Sequence, residues 1–194
     1  MRPRVVPLRA VVAALALVLA AAACGGSSKG STATTSGSTT PGSTVHVAKV
    51  ATNVPSESAK MICSAEALRD INEVIGIKAT IPKQPTWINH VYSCDYVYPD
   101  GSKMTLSVKE MSNPAETTAY FDSRAQKLGK VQELQGLAQG AFTTKDGSVV
   151  TRKDYKVMTV DVSHLPAKFG VPPDTRTNNA INAAFTIMNC WTGA

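Results

Sequence analysis

His90-Val-Tyr-Ser-Cys94-Asp-Tyr-Val-Tyr98-Pro-Asp-Gly-Ser-Lys103-Met-Thr-Leu-Ser-Val-Lys-Glu110 is the stretch whose reading decides the fold. From His90 to Tyr98 the side chains alternate, with Tyr92, Cys94, Tyr96 and Tyr98 on one face. From Lys103 to Glu110 they alternate again, with Met104, Leu106 and Val108. A period of two is the mark of a half-buried strand, and Pro99-Asp100-Gly101 is a turn, so the two runs are expected to form an antiparallel hairpin. Working outward, Leu68, Ile71, Val74 and Ile75 recur at helical spacing after Ser64 and stop at Gly76, which predicts an amphipathic helix. Between that helix and the hairpin, Ile81 to Trp87 carries Pro82 and Pro85 and reads as a loop. Beyond the hairpin, Asn113-Pro114-Ala115-Glu116 sets an N-cap, a proline in the first turn and an acid, and Phe121, Ala125 and Leu128 continue a second helix to Gly129. Three short strands follow, Ala141 to Thr144, Ser148 to Arg152 and Tyr155 to Val162, separated by the turns Asp146-Gly147 and Lys153-Asp154. After Pro172-Pro173 a last helix presents Ile181, Ala184, Phe185, Met188 and Trp191. The order α-ββ-α-βββ-α predicts an α+β fold, an antiparallel sheet of about five strands with helices on one face or on both.

The start of the chain has a different character. Arg2, Arg4 and Arg9 precede Val11 to Ala23, an apolar run too short for the ~20 residues that span a bilayer. Residues 1–23 therefore read as a secretory signal peptide. The run ends Leu19-Ala20-Ala21-Ala22-Ala23-Cys24, which resembles the lipobox of bacterial lipoproteins and implies that Cys24 becomes the lipidated, palmitate-bearing first residue. It departs from the pattern at Ala21, where leucine is usual, and this leaves cleavage after an Ala-x-Ala open. Residues 24–46 then form a tether: from Gly25 to Thr44 every residue except Lys29, Ala33 and Pro41 is Gly, Ser or Thr. Such a composition cannot bury enough apolar surface to offset its ordering entropy, and a coil of about 20 residues has an r.m.s. span of roughly 25 Å. Gly25-Gly-Ser-Ser-Lys-Gly30 lacks the spacing of a phosphate loop and follows no strand. Residues 47–194 are left for a single α+β domain.

Charge and motifs exclude several function classes. The formal net charge of +6 includes Arg2, Arg4, Arg9 and Lys29, so the folded part carries only about +2, with no basic block to hold nucleic acid. His90, His164 and His46 lie apart, and the run Asp161-Val162-Ser163-His164 is no triad, because neighbours on a strand point to opposite faces and no G-x-S-x-G occurs. Glu66, Asp70 and Glu73 space as the solvent face of a helix. In an exported domain two of Cys63, Cys94 and Cys190 are expected to be bridged. Cys63 at the head of a helix and Cys94 on the tyrosine face favour each other, a closure worth roughly 3–4 kcal/mol. A bridge from either to Cys190 stays open at this point. Without C-x-x-C or a nearby His the cysteines offer no metal site, and no cofactor motif is present.

Tyr92, Tyr96 and Tyr98, with Trp87 in the preceding loop, are the candidate ligand-binding residues: tyrosine offers an apolar body and a polar tip, as a cleft for an apolar or carbohydrate ligand needs. The alternative for the same stripe is plain core packing. The lipobox, the Gly/Ser/Thr tether, Cys63, Cys94 within an aromatic strand, and Gly136-Leu-Ala-Gln-Gly-Ala-Phe142 leading into the meander together resemble the small cell-envelope lipoproteins of actinomycetes, a group of unknown function in which some members are similar to PsbP-like domains or to receptor-kinase sensor domains. Cys190 departs from their paired-cysteine pattern. The anchor, the tether and the absent catalytic motifs imply a non-catalytic binding module, lipid-anchored on the outer face of the cell membrane and recognising an envelope ligand or a protein partner. The rival expectation is an enzyme acting on the cell wall or its polysaccharides.

Overall fold

The computed structural model describes residues 53–191. The signal peptide, Cys24, the tether and His46 lie outside the described residues. Seven strands pair antiparallel throughout in the order β1 (Thr86–Ile88), β2 (Val91–Val97), β3 (Lys103–Glu110), β7 (Lys156–Asp161), β6 (Val149–Lys153), β5 (Gly140–Thr144), β4 (Lys130–Glu133). The helices are α1 (Glu57–Met61), α2 (Ala65–Ile75), α3 (Pro114–Leu128) and α4 (Arg176–Cys190), and a small ribbon pairs β8 (Lys168–Phe169) with β9 (Asp174–Thr175).

The fold class is α+β, with seven strands in the sheet where about five were expected. The two additional strands are its edges. Pro82 and Pro85 precede β1 and its three residues are too few to show a period, whereas β4 is exposed at every position and has no apolar face to betray it. The helices begin and end as their residues dictate. Ser64 and Asn113 accept from the backbone N–H groups of Ala67 and Glu116, satisfying donors that a helix start leaves open. Gly76 closes α2 in the left-handed region at φ 73, where a Cβ would also collide with the Val171 carbonyl.

Helices cover the sheet from both sides, and this explains a contrast between its halves. On one face α1, α2 and α4 pack over Cys94, Tyr96, Met104, Leu106, Val108, Met158 and Val160. On the other, Phe121, Ala125 and Leu128 of α3 pack over Phe142, Val150 and Val157. Strands β5 to β7 are thus sandwiched and read as almost continuous buried runs, whereas β2 and β3, bare on the α3 side, alternate between buried and half-buried positions. The stripe of α4 is rotated from the expected one: Ala180, Ala183, Ala184, Ile187 and Met188 face the core, and Phe185 is 40% exposed. Similarly Val74 of α2 lies on the outer side, and Ala67, Ile71 and Ile75 are buried. Trp191, immediately after α4, is buried in the same core as the sheet.

Candidate functional site

The disulfide joins Cys63 and Cys94, with their Cα atoms 6.0 Å apart. It ties the link between α1 and α2 to the middle of β2, and Cys190 takes no part in it, sitting half-buried at the end of α4. This pinning also decides the fate of the tyrosine stripe. Tyr96 is 0% exposed, and its hydroxyl donates to the Ile62 carbonyl at 2.6 Å, beside the disulfide. Burial pushes its phenol well above the ordinary range, so it is held as a neutral core donor. Tyr98 is buried edge-to-face against Phe169, with ring centroids 4.6 Å apart. Neither side chain lines an open cleft in this structure, because the link between α1 and α2 closes over Tyr96 and Phe169 packs against Tyr98.

Trp87 and Tyr92 of the same candidate set face each other across β1 and β2, and both are half-buried. The Trp87 indole N–H donates to the Asn53 carbonyl at 2.9 Å, and its ring meets His90 edge-on at 5.6 Å. They cover the sheet edge beneath the incoming chain. The Asp161 to His164 run does not assemble either. Asp161 accepts from the Ser163 N–H at 2.9 Å and the Ser148 hydroxyl at 3.4 Å, as a strand-end turn requires. Among the described residues no group of three His, Cys, Asp or Glu side chains is placed to hold a metal ion. No helix among them is long and apolar enough to cross a membrane.

The polar side chains that do converge come from three segments on the α3 side of the sheet. A depression of about 250 Å³ is lined by Pro114, Thr117 and Thr118 of α3, Gln139, Arg152 of β6 and Asp154 of the β6–β7 turn. Arg152 is fixed from several sides. Its Nη1 donates to the Thr118 hydroxyl at 2.7 Å, its Nη2 to the Gln139 carbonyl at 3.4 Å, and its guanidinium lies 5.4 Å from the centroid of the Phe121 ring. Gly140 on the next strand leaves room beneath this pair, since even a Cβ there would stand 3.6 Å from Phe121 and 3.9 Å from Arg152 Nε.

Asp154 is placed with equal care. It occupies the two-residue turn between Lys153 and Lys156 at φ 54, a left-handed conformation that glycine adopts more readily. Its N–H donates to Gln139 Oε1 at 2.9 Å, and Gln139 Nε2 reaches back to Asp154 Oδ1 at 3.5 Å. Asp154 Oδ2 and Arg152 Nε are both buried from solvent and have no hydrogen-bond partner in the protein. A cation and an anion thus line one depression without bonding to each other. The remaining hydroxyl is engaged: Thr117 donates to the Asn113 carbonyl at 2.8 Å.

None of these residues stood out in the sequence. Lys153-Asp154 read as a turn, Asn113-Pro114 as a helix start and Gln139 as part of a connecting motif, and only the fold brings them together. No family model, no curated protein and no solved structure matches this chain.

Proposed function

We propose that the chain is a lipid-anchored extracytoplasmic binding module without catalytic chemistry, held at the outer face of the cell membrane through Cys24 and recognising an envelope component through the Arg152–Asp154 depression. One observation carries the reading: Arg152 and Asp154, a cation and an anion from one strand and its turn, are held in place by Thr118, Gln139 and Phe121 at the wall of a single depression. A preformed pair of opposite charges of this kind favours recognition. For catalysis the depression would need a nucleophile or a proton-transfer pair, and its hydroxyls already serve as helix and guanidinium partners.

The test is co-sedimentation of the full chain, kept in mild detergent, with purified insoluble cell wall. Saturable retention with no soluble sugar or peptide released over hours is expected. Release of wall fragments in proportion to the protein added would make it an enzyme, and failure to be retained would remove the envelope component as its ligand.

A further inference from the structure

We infer that the tip of the β1–β2 hairpin, with Val54 beside it, dips into the headgroup boundary of the membrane that carries the chain, so that the domain is docked on the lipid surface as well as tied to it. The inference rests on the anchor at Cys24 proposed above and adds a second contact, made by the folded part. Ile88 and Val54 are both 64% exposed. One exposed apolar side chain is ordinary, but here several gather at one point. Ile88 stands opposite Val91 on one face of the hairpin, and Trp87 opposite the half-buried Tyr92 on the other, so the tip is apolar or aromatic on both sides. Tryptophan and tyrosine suit a surface that is greasy on one side and wet on the other. A contact of this size binds a bilayer only marginally by itself, and it acts together with the anchor.

Three observations favour lipid over another occupant. The chain from Cys24 enters the described residues at Asn53, whose carbonyl accepts from the Trp87 indole at 2.9 Å, so the attachment arrives at this patch. The polar groups of the tip are already paired. Asn89 and His90 form its two-residue turn at φ 52 and 58, and their carbonyls accept from Lys109 Nζ at 2.6 Å and from the Glu110 N–H at 2.9 Å. Little is therefore stranded when water leaves, whereas a protein partner would draw on open donors and acceptors. Charge agrees as well: the Lys109 ammonium is bonded to a carbonyl and keeps its charge for an anionic headgroup, while Glu57 is paired with Lys60 at 2.8 Å and Glu110 is buried.

The experiment returns the full chain, purified in mild detergent, to vesicles of phosphatidylcholine and phosphatidylglycerol whose acyl chains are brominated near the headgroup. Flotation reads attachment, and quenching of tryptophan emission by bromine reads docking. Trp87 and Trp191 are the two tryptophans of the chain and Trp191 lies in the core, so the quenched signal belongs to Trp87. The wild type is expected to float and to be quenched. Val54→Asp with Ile88→Asp should float equally well and lose roughly fivefold or more of the quenching, and Trp87→Phe should lose it likewise. Both aspartates replace exposed side chains, so the fold is kept. Equal quenching in the Val54→Asp, Ile88→Asp protein overturns the docking, as does flotation of the wild type without quenching. A dimer in detergent that Ile88→Asp splits would make the tip a protein interface and overturn it too. Failure to float takes down the anchor reading and this contact with it, whereas floating without quenching takes down this contact alone.

Discussion

Glu110 ends β3 with its side chain buried on the packed face of the sheet, and one of its carboxylate oxygens accepts from both the N–H and the hydroxyl of Ser56. Ser56 is also the N-cap of α1 and accepts from the Ala59 N–H at 3.2 Å, so this one acid fixes the point where the chain joins the domain. Across the β3–β7 ladder its partner is Lys156, itself buried. Removing the acceptor strands a half-buried backbone N–H, and such a loss costs about 1–3 kcal/mol. Glu110→Ala is therefore expected to lower stability in urea by about that amount, and Glu110→Gln, which keeps an acceptor oxygen, to recover most of it. A Glu110→Ala midpoint equal to the wild type would show that Ser56 is held by other means.

At the scale of elements, what the sequence disclosed depended on how many faces of an element are wet. Strands β2 and β3 are bare on one side, so their alternation survived in the residues and the hairpin was legible to within a residue at each end. Helices α2 and α3 were legible from Ser64, Asn113, Gly76 and Gly129, which act through local backbone geometry. The tilt of α4 was not: its packed face is built on Ala180, Ala183 and Ala184, small residues that allow close approach to the sheet, and the larger Phe185 misled. Helix α1 is five residues long and too short for a period to show. The candidate site was hidden for another reason, since Thr118, Gln139 and Asp154 meet only after the strands have paired. The disulfide was legible, and it acts between elements. Cys63→Ala with Cys94→Ala should cost about 2–5 kcal/mol, because the bridge constrains the unfolded chain and anchors the turn that caps Tyr96. Non-reducing peptide mapping of the wild type should recover the Cys63 and Cys94 peptides linked. A linked peptide containing Cys190 in the monomer would overturn that pairing.

For the whole molecule, the sheet registers bring the joining point and the candidate site to the same end. Ser56 is bound to Glu110, Glu110 pairs with Lys156, and the turn holding Asp154 precedes Lys156 directly. The depression opens on the α3 side of the sheet and Glu110 lies on the other, so the two adjoin at one end without sharing a face. The anchor proposed at Cys24 would then set position, and recognition itself would belong to the folded part. Position and affinity should therefore separate cleanly. Cys24→Ala is expected to release the chain into the medium or to stall its processing. The released protein should unfold at the wild-type midpoint and bind cell wall in solution with wild-type affinity, because an anchor at Cys24 would add local concentration alone. Fractionation followed by co-sedimentation reads both quantities. Retention of the Cys24→Ala protein in the membrane at its normal mature size would mean that something other than Cys24 anchors it, and the apolar run before it, Val11 to Ala23, would be the next segment to delete.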